Sequence, residues 1–132
     1  MFDVDKVRRI IAERNATDNE WDDRIEQCWN RLVEEMSKDP QQASSFILDC
    51  SDEELSTIGE ILDELVWHTQ SSDIVKSFRT AIRLHPEESK RFHLNETLDD
   101  AIKSMLKDRS QMYQLITWRP TAEEVERLRH TA

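Results

Sequence analysis

A single glycine and three prolines are spread through the 132 residues. That scarcity removes glycine-rich phosphate loops, glycine-dependent calcium loops and the tight strand-to-helix turn that presents a catalytic serine. With 35% of residues charged and 37% hydrophobic, it also points to helices joined by short connections, with little room for sheet. The two cysteines, Cys28 and Cys50, have no CxxC spacing and fall within apolar helical patterns. They read as reduced packing residues, with a Cys28–Cys50 bridge as the alternative. No apolar run approaches the length of a membrane span, and Met-Phe-Asp-Val-Asp-Lys lacks the basic start and continuous apolar stretch of a signal peptide. The expected compartment is the cytoplasm, and the length suits one domain, residues 1–132.

The most informative absence is of positive charge. Residues 39–75 contain no lysine or arginine, yet carry nine carboxylates: Asp39, Asp49, Asp52, Glu53, Glu54, Glu60, Asp63, Glu64 and Asp73. Residues 1–70 hold 18 acids and 7 bases, whereas residues 71–132 hold 10 acids and 11 bases. A field polarised in this way attracts a cationic partner and repels nucleic acid and anionic membrane.

Apolar spacing predicts an all-α fold of about seven or eight short helices arranged as helical hairpins. Asp3 caps a first helix carrying Val4, Val7, Ile10 and Ile11; a second opens near Asp18 with Trp21, Ile25, Cys28, Trp29, Leu32 and Met36 on one face. Asp39-Pro40 ends that helix and starts a third. Ser51-Asp52-Glu53-Glu54 is a capping box for a fourth running to about Gln70, with Gly59 on its apolar face, where a missing side chain lets another helix approach. The fifth carries Ile74, Phe78, Ala81 and Ile82, the sixth spans Glu87 to His93, and the seventh spans Leu98 to Asp108 with Thr97 or Asn95 as its cap. Met112 to Trp118 reads as an apolar connection packing back on the body, and Thr121 opens a peripheral last helix. The expected core comprises Trp21, Ile25, Cys28, Leu32, Phe46, Leu55, Ile58, Leu62, Val66, Phe78, Ile82 and Ile102.

Catalytic signatures are missing. His68, His85, His93 and His130 show neither i, i+4 spacing nor a cysteine pair beside them, and carboxylates along one helix make a poor chelate. No metal, cofactor or catalytic residue is expected; an enzyme would need a concave pocket with convergent titratable groups. One constellation stands apart. Glu53, Glu60, Asp63, Glu64 and Trp67 fall opposite the apolar stripe of the fourth helix, the last four at i, i+3, i+4 and i+7. Two readings follow: an exposed aromatic anchor among uncompensated acids, suited to a lysine- and arginine-rich protein, or an ordinary solvated face whose tryptophan is covered by the C-terminal segment.

The stretch Phe46-Ile47-Leu48-Asp49-Cys50-Ser51-Asp52-Glu53-Glu54-Leu55, continued by Glu60 to Val66, Thr69-Gln70-Ser71, Phe78-Arg79 and His85-Pro86-Glu87-Glu88, resembles small all-helical immunity proteins of bacterial contact-dependent growth inhibition and polymorphic-toxin systems. The resemblance covers roughly half the chain and rests on capping and packing residues. It implies a cytosolic protein that binds and neutralises one cognate toxin domain, commonly a nuclease. Acid on the inhibitor fits this, because nucleases are basic where they grip polyanions. The alternative is a non-catalytic helical adaptor for another basic protein.

Overall fold

Side-chain caps set most of the helix starts. Asp3, Asp39, Ser51, Ser71, Asp108 and Thr121 each accept from a backbone N–H two or three residues on, which satisfies donors that the first helical turn leaves open. In the computed structural model, which describes residues 2–130, ten helices and no strand are found among the described residues. They are α1 (Val4–Ala16), α2 (Asp22–Ser37), α3 (Pro40–Asp49), α4 (Asp52–Gly59), α5 (Leu62–Thr69), α6 (Ser72–Leu84), α7 (Pro86–Arg91), α8 (Leu94–Lys103), α9 (Arg109–Thr117) and α10 (Ala122–Arg129). None is long and apolar enough to cross a membrane among the described residues.

The count exceeds the expected seven or eight for two local reasons. The fourth helix breaks after Gly59: Glu60 and Ile61 donate to Thr57 and Ile58, tight three-residue bonds that close α4 before α5 begins. The expected apolar connection at 112–118 belongs to α9, opened by a reciprocal capping box between Asp108 and Gln111. α8 also starts earlier than its stripe indicated. Its N-cap is His93, in the left-handed conformation (φ 53°), not Thr97 or Asn95.

The core is continuous from α1 to α9. α6 packs against α3, α7, α8, α9 and α10, and its buried set includes Ile74, Phe78, Ala81 and Ile82. All but one of the residues expected in the core are buried there. The exception is Trp21, 58% exposed. α2 begins at Asp22, so Trp21 precedes the helical stripe and lies under the Arg24 guanidinium instead, 5.4 Å from its ring centroid. Leu106 and Tyr113, also expected to pack inward, are 78% and 69% exposed, while Met112, Leu115 and Ile116 of α9 pack on the core. Both cysteines are free and buried.

Gly59 acts as its position suggested. A Cβ built there lies 2.8 Å from Leu94 Cδ2, so the missing side chain leaves room for the Leu94 side chain of α8 at the α4–α5 junction. α8 also packs alongside α5, and the groove between them holds Asp63, Glu64 and Asp100.

Candidate functional site

α5 begins at Leu62 and turns Leu62, Leu65 and Val66 into the core. The helical period then places Asp63, Glu64 and Trp67 outward. All three line a groove of about 430 Å3 whose opposite wall is α8, with Thr97, Asp100 and Ser104. Trp67 is 48% exposed, so the C-terminal segment does not cover it; Trp118 is instead paired with Lys76, whose Nζ lies 5.6 Å from its ring centroid. Among the described residues Asp63, Glu64 and Asp100 form no ion pair, and no lysine or arginine lines the groove. Glu64 also reaches an adjoining hollow with Glu34, His68 and Lys38.

The other two expected residues lie apart from this groove. Glu60 accepts from Arg14 Nε and Nη2, both at 2.8 Å, and from Trp29 Nε1 at 3.0 Å. That contact raises the Arg14 pKa, against the burial that opposes it. Glu53 accepts from Asn15 Nδ2 at 3.3 Å. Nearby, Glu54 pairs with Arg8 at 3.0 Å, and Asp52 contacts His85 Nδ1. Glu53, Glu54 and Glu60 are therefore answered by α1, whose Arg8 and Arg14 each stand 46 residues from their carboxylate in sequence. What stays uncompensated is the α5 end.

The sequence reading missed Asp100, Thr97 and Ser104. Asp100 is one of several acids on α8, and only the packing of α8 on α5 places it opposite Trp67. The available signal was Gly59, which announced a close neighbour without naming it.

A second cavity, about 440 Å3, holds the components of a thiol–imidazole–carboxylate set: Cys50 and His85 line it, and Asp52 contacts His85. The chemistry does not follow. Cys50 Sγ donates to the Ile47 carbonyl, and burial, reinforced by Glu54, pushes its pKa up to about 12. A nucleophilic cysteine needs its thiolate, and this one is held as a neutral thiol. Burial likewise raises the Cys28 pKa. Among the described residues no three His, Cys, Asp or Glu side chains group as metal ligands.

Comparison with known proteins found no matching family model, no matching curated protein and no matching solved structure. The functional reading therefore rests on the chain's own geometry.

Proposed function

We propose that this chain is a non-catalytic inhibitor of the immunity type, which binds a cationic protein domain through the α5–α8 groove. One observation carries the reading: a half-exposed tryptophan, Trp67, stands among Asp63, Glu64 and Asp100 in a groove whose described lining holds no base, the nearest being Lys38 and His68 in the hollow that adjoins Glu64. An indole in that setting offers both an apolar contact and a π-face to an incoming lysine or arginine. The three carboxylates supply the field that draws it in. A nuclease domain of the toxins in such systems matches this surface, since its own polyanion site is basic. Glu53 and Glu60 extend the negative field, and their hydrogen bonds to α1 and α2 give them a second, structural task.

The test uses a basic toxin domain, which an immunity role places in the gene beside this one. The Asp63→Lys, Glu64→Lys, Asp100→Lys variant should keep the helical content and melting temperature of the parent while its association rate falls at least about tenfold. The parent's association rate should fall as salt rises. Binding that ignores both salt and the triple reversal would overturn the proposal. Tight binding to some other basic protein, with no protection against the neighbouring toxin, would instead make the chain an adaptor.

A further inference from the structure

Acids and bases are not matched evenly along the fold. The N-terminal and middle segments pair their carboxylates with Lys6, Arg8, Arg14, Arg24, Arg31 and Lys38. Among the described lysines and arginines from residue 71 onward, Arg79 alone is in an ion pair, with Asp99 at 2.6 Å. Three of the others converge. Arg83 of α6, Lys90 of α7 and Arg129 of α10 line a cavity of about 440 Å3, together with His93, Asn95 and, among the described residues, one carboxylate, Glu96.

Two further features turn this cavity toward anions. The N-terminus of α8 borders it through His93, Asn95 and Glu96, and among the described residues no side chain caps the first N–H groups of that helix. Such a terminus presents free donors and the positive end of the helix dipole. Behind the wall, Arg79 is 1% exposed, donates to Asn95 Oδ1 at 2.9 Å and leaves its own Nε without a partner.

We propose that this cavity is a binding site for a small phosphate-bearing molecule, gripped by Arg83, Lys90 and Arg129 at the N-terminus of α8. Phosphate oxygens accept bidentate bonds from guanidinium forks and a point-charge contact from an ammonium, and the helix end adds backbone donors. The volume falls at the lower end of small-ligand pockets. A long polyanion is disfavoured, because it would also meet the field of a chain whose net charge is −10, which a small anion confined to the cavity largely escapes. The site shares α8 with the Trp67 groove but none of its lining residues, so it stands whether or not that groove binds a toxin.

The experiment is a titration of the full chain with sodium diphosphate at constant ionic strength, followed by calorimetry and by backbone amide shifts. Saturable one-to-one binding is expected, with shifts centred on Arg83, Lys90, His93, Asn95 and Arg129. Arg83→Gln and Lys90→Ala change exposed side chains, so both variants should fold as the parent does, and each should weaken binding about tenfold. Glu96→Gln removes the one carboxylate in the wall and should tighten it. Shifts that follow ionic strength alone, or affinities unchanged in both weakening variants, would overturn the site. A single-stranded oligonucleotide binding more tightly than diphosphate would overturn the assignment to a small molecule.

Discussion

Trp67 keeps about half of its surface in water. For a large aromatic that leaves on the order of 100 Å2 for a partner to cover, equivalent to about 2–3 kcal/mol. Trp67→Ala should therefore cost about 2 kcal/mol or more of partner binding, seen as faster dissociation, while stability changes by less than about 1 kcal/mol. Leu62 on the same helix is fully buried and provides the contrast, since Leu62→Ala should cost about 2–5 kcal/mol of stability. Denaturant melts and dissociation rates on both variants check this. A melting loss for Trp67→Ala equal to that for Leu62→Ala, with affinity per folded molecule unchanged, would return the indole to a structural role. Single residues were legible in the sequence where helical period decided them. Leu55, Ile58, Leu62 and Val66 fell where the stripe put them, whereas Trp21 did not, because the helix starts at Asp22 and not near Asp18, which leaves Trp21 as its N-cap outside the stripe.

At the scale of elements, the α4–α5 break was the feature least visible beforehand. A capping box marks where α4 starts, but its end depends on Glu60 leaving the helix to meet Arg14 and Trp29, contacts with residues far away in sequence. The five residues of the expected surface thus divide into two sets: Asp63, Glu64 and Trp67 face a groove, while Glu53 and Glu60 are bonded to other helices. Arg14 is 13% exposed on its side chain and Glu60 32%, so the pair is partly shielded and hydrogen-bonded in two places. Glu60→Gln should consequently lower stability by about 1–3 kcal/mol, since it strands the Arg14 guanidinium. Partner association should slow far less than in the triple reversal of the groove. The reverse pattern, unchanged stability with a large loss of association rate, would put Glu60 in the interface centre. Capping residues made the starts of α1, α3, α4 and α10 readable, since the cap and its target lie within four residues, whereas among the described residues α5 and α8 start without a side-chain cap. The groove depends on α8 docking against α5, which no local pattern specifies.

Across the whole molecule, acid has two opposing effects on stability. Protonating exposed carboxylates relieves the self-repulsion of a chain with net charge −10, which favours the compact state. Protonating carboxylates held by donors removes native contacts, which disfavours it. Glu35 decides between them. It is 2% exposed; burial pushes its pKa up, but hydrogen bonds from Lys38 Nζ, the Asp3 backbone N–H and Lys6 outweigh burial and leave it below the ordinary value of 4.5. Glu13 is lowered as well, by its hydrogen bond from Arg31 and then, against some burial, by Arg24. A depressed carboxylate stabilises the fold fully above its unfolded pKa and loses that contribution as pH falls through the folded one. Stability should accordingly be level from neutral pH to about 5 and then decline below about 4.5. Salt separates the two effects, because the diffuse repulsion is screened within about 8–10 Å whereas the short contacts of Glu35, itself buried although Lys6 and Lys38 are partly exposed, are screened less. In high salt the acid decline should persist and become steeper as the compensating relief is screened away. Glu35→Gln should start from lower stability at pH 7 and show a shallower decline below pH 4.5. Chemical denaturation across pH 3–7, at low and high salt, measures both slopes. An acid limb that is equally steep in the variant would move the acid sensitivity to other carboxylates of the chain.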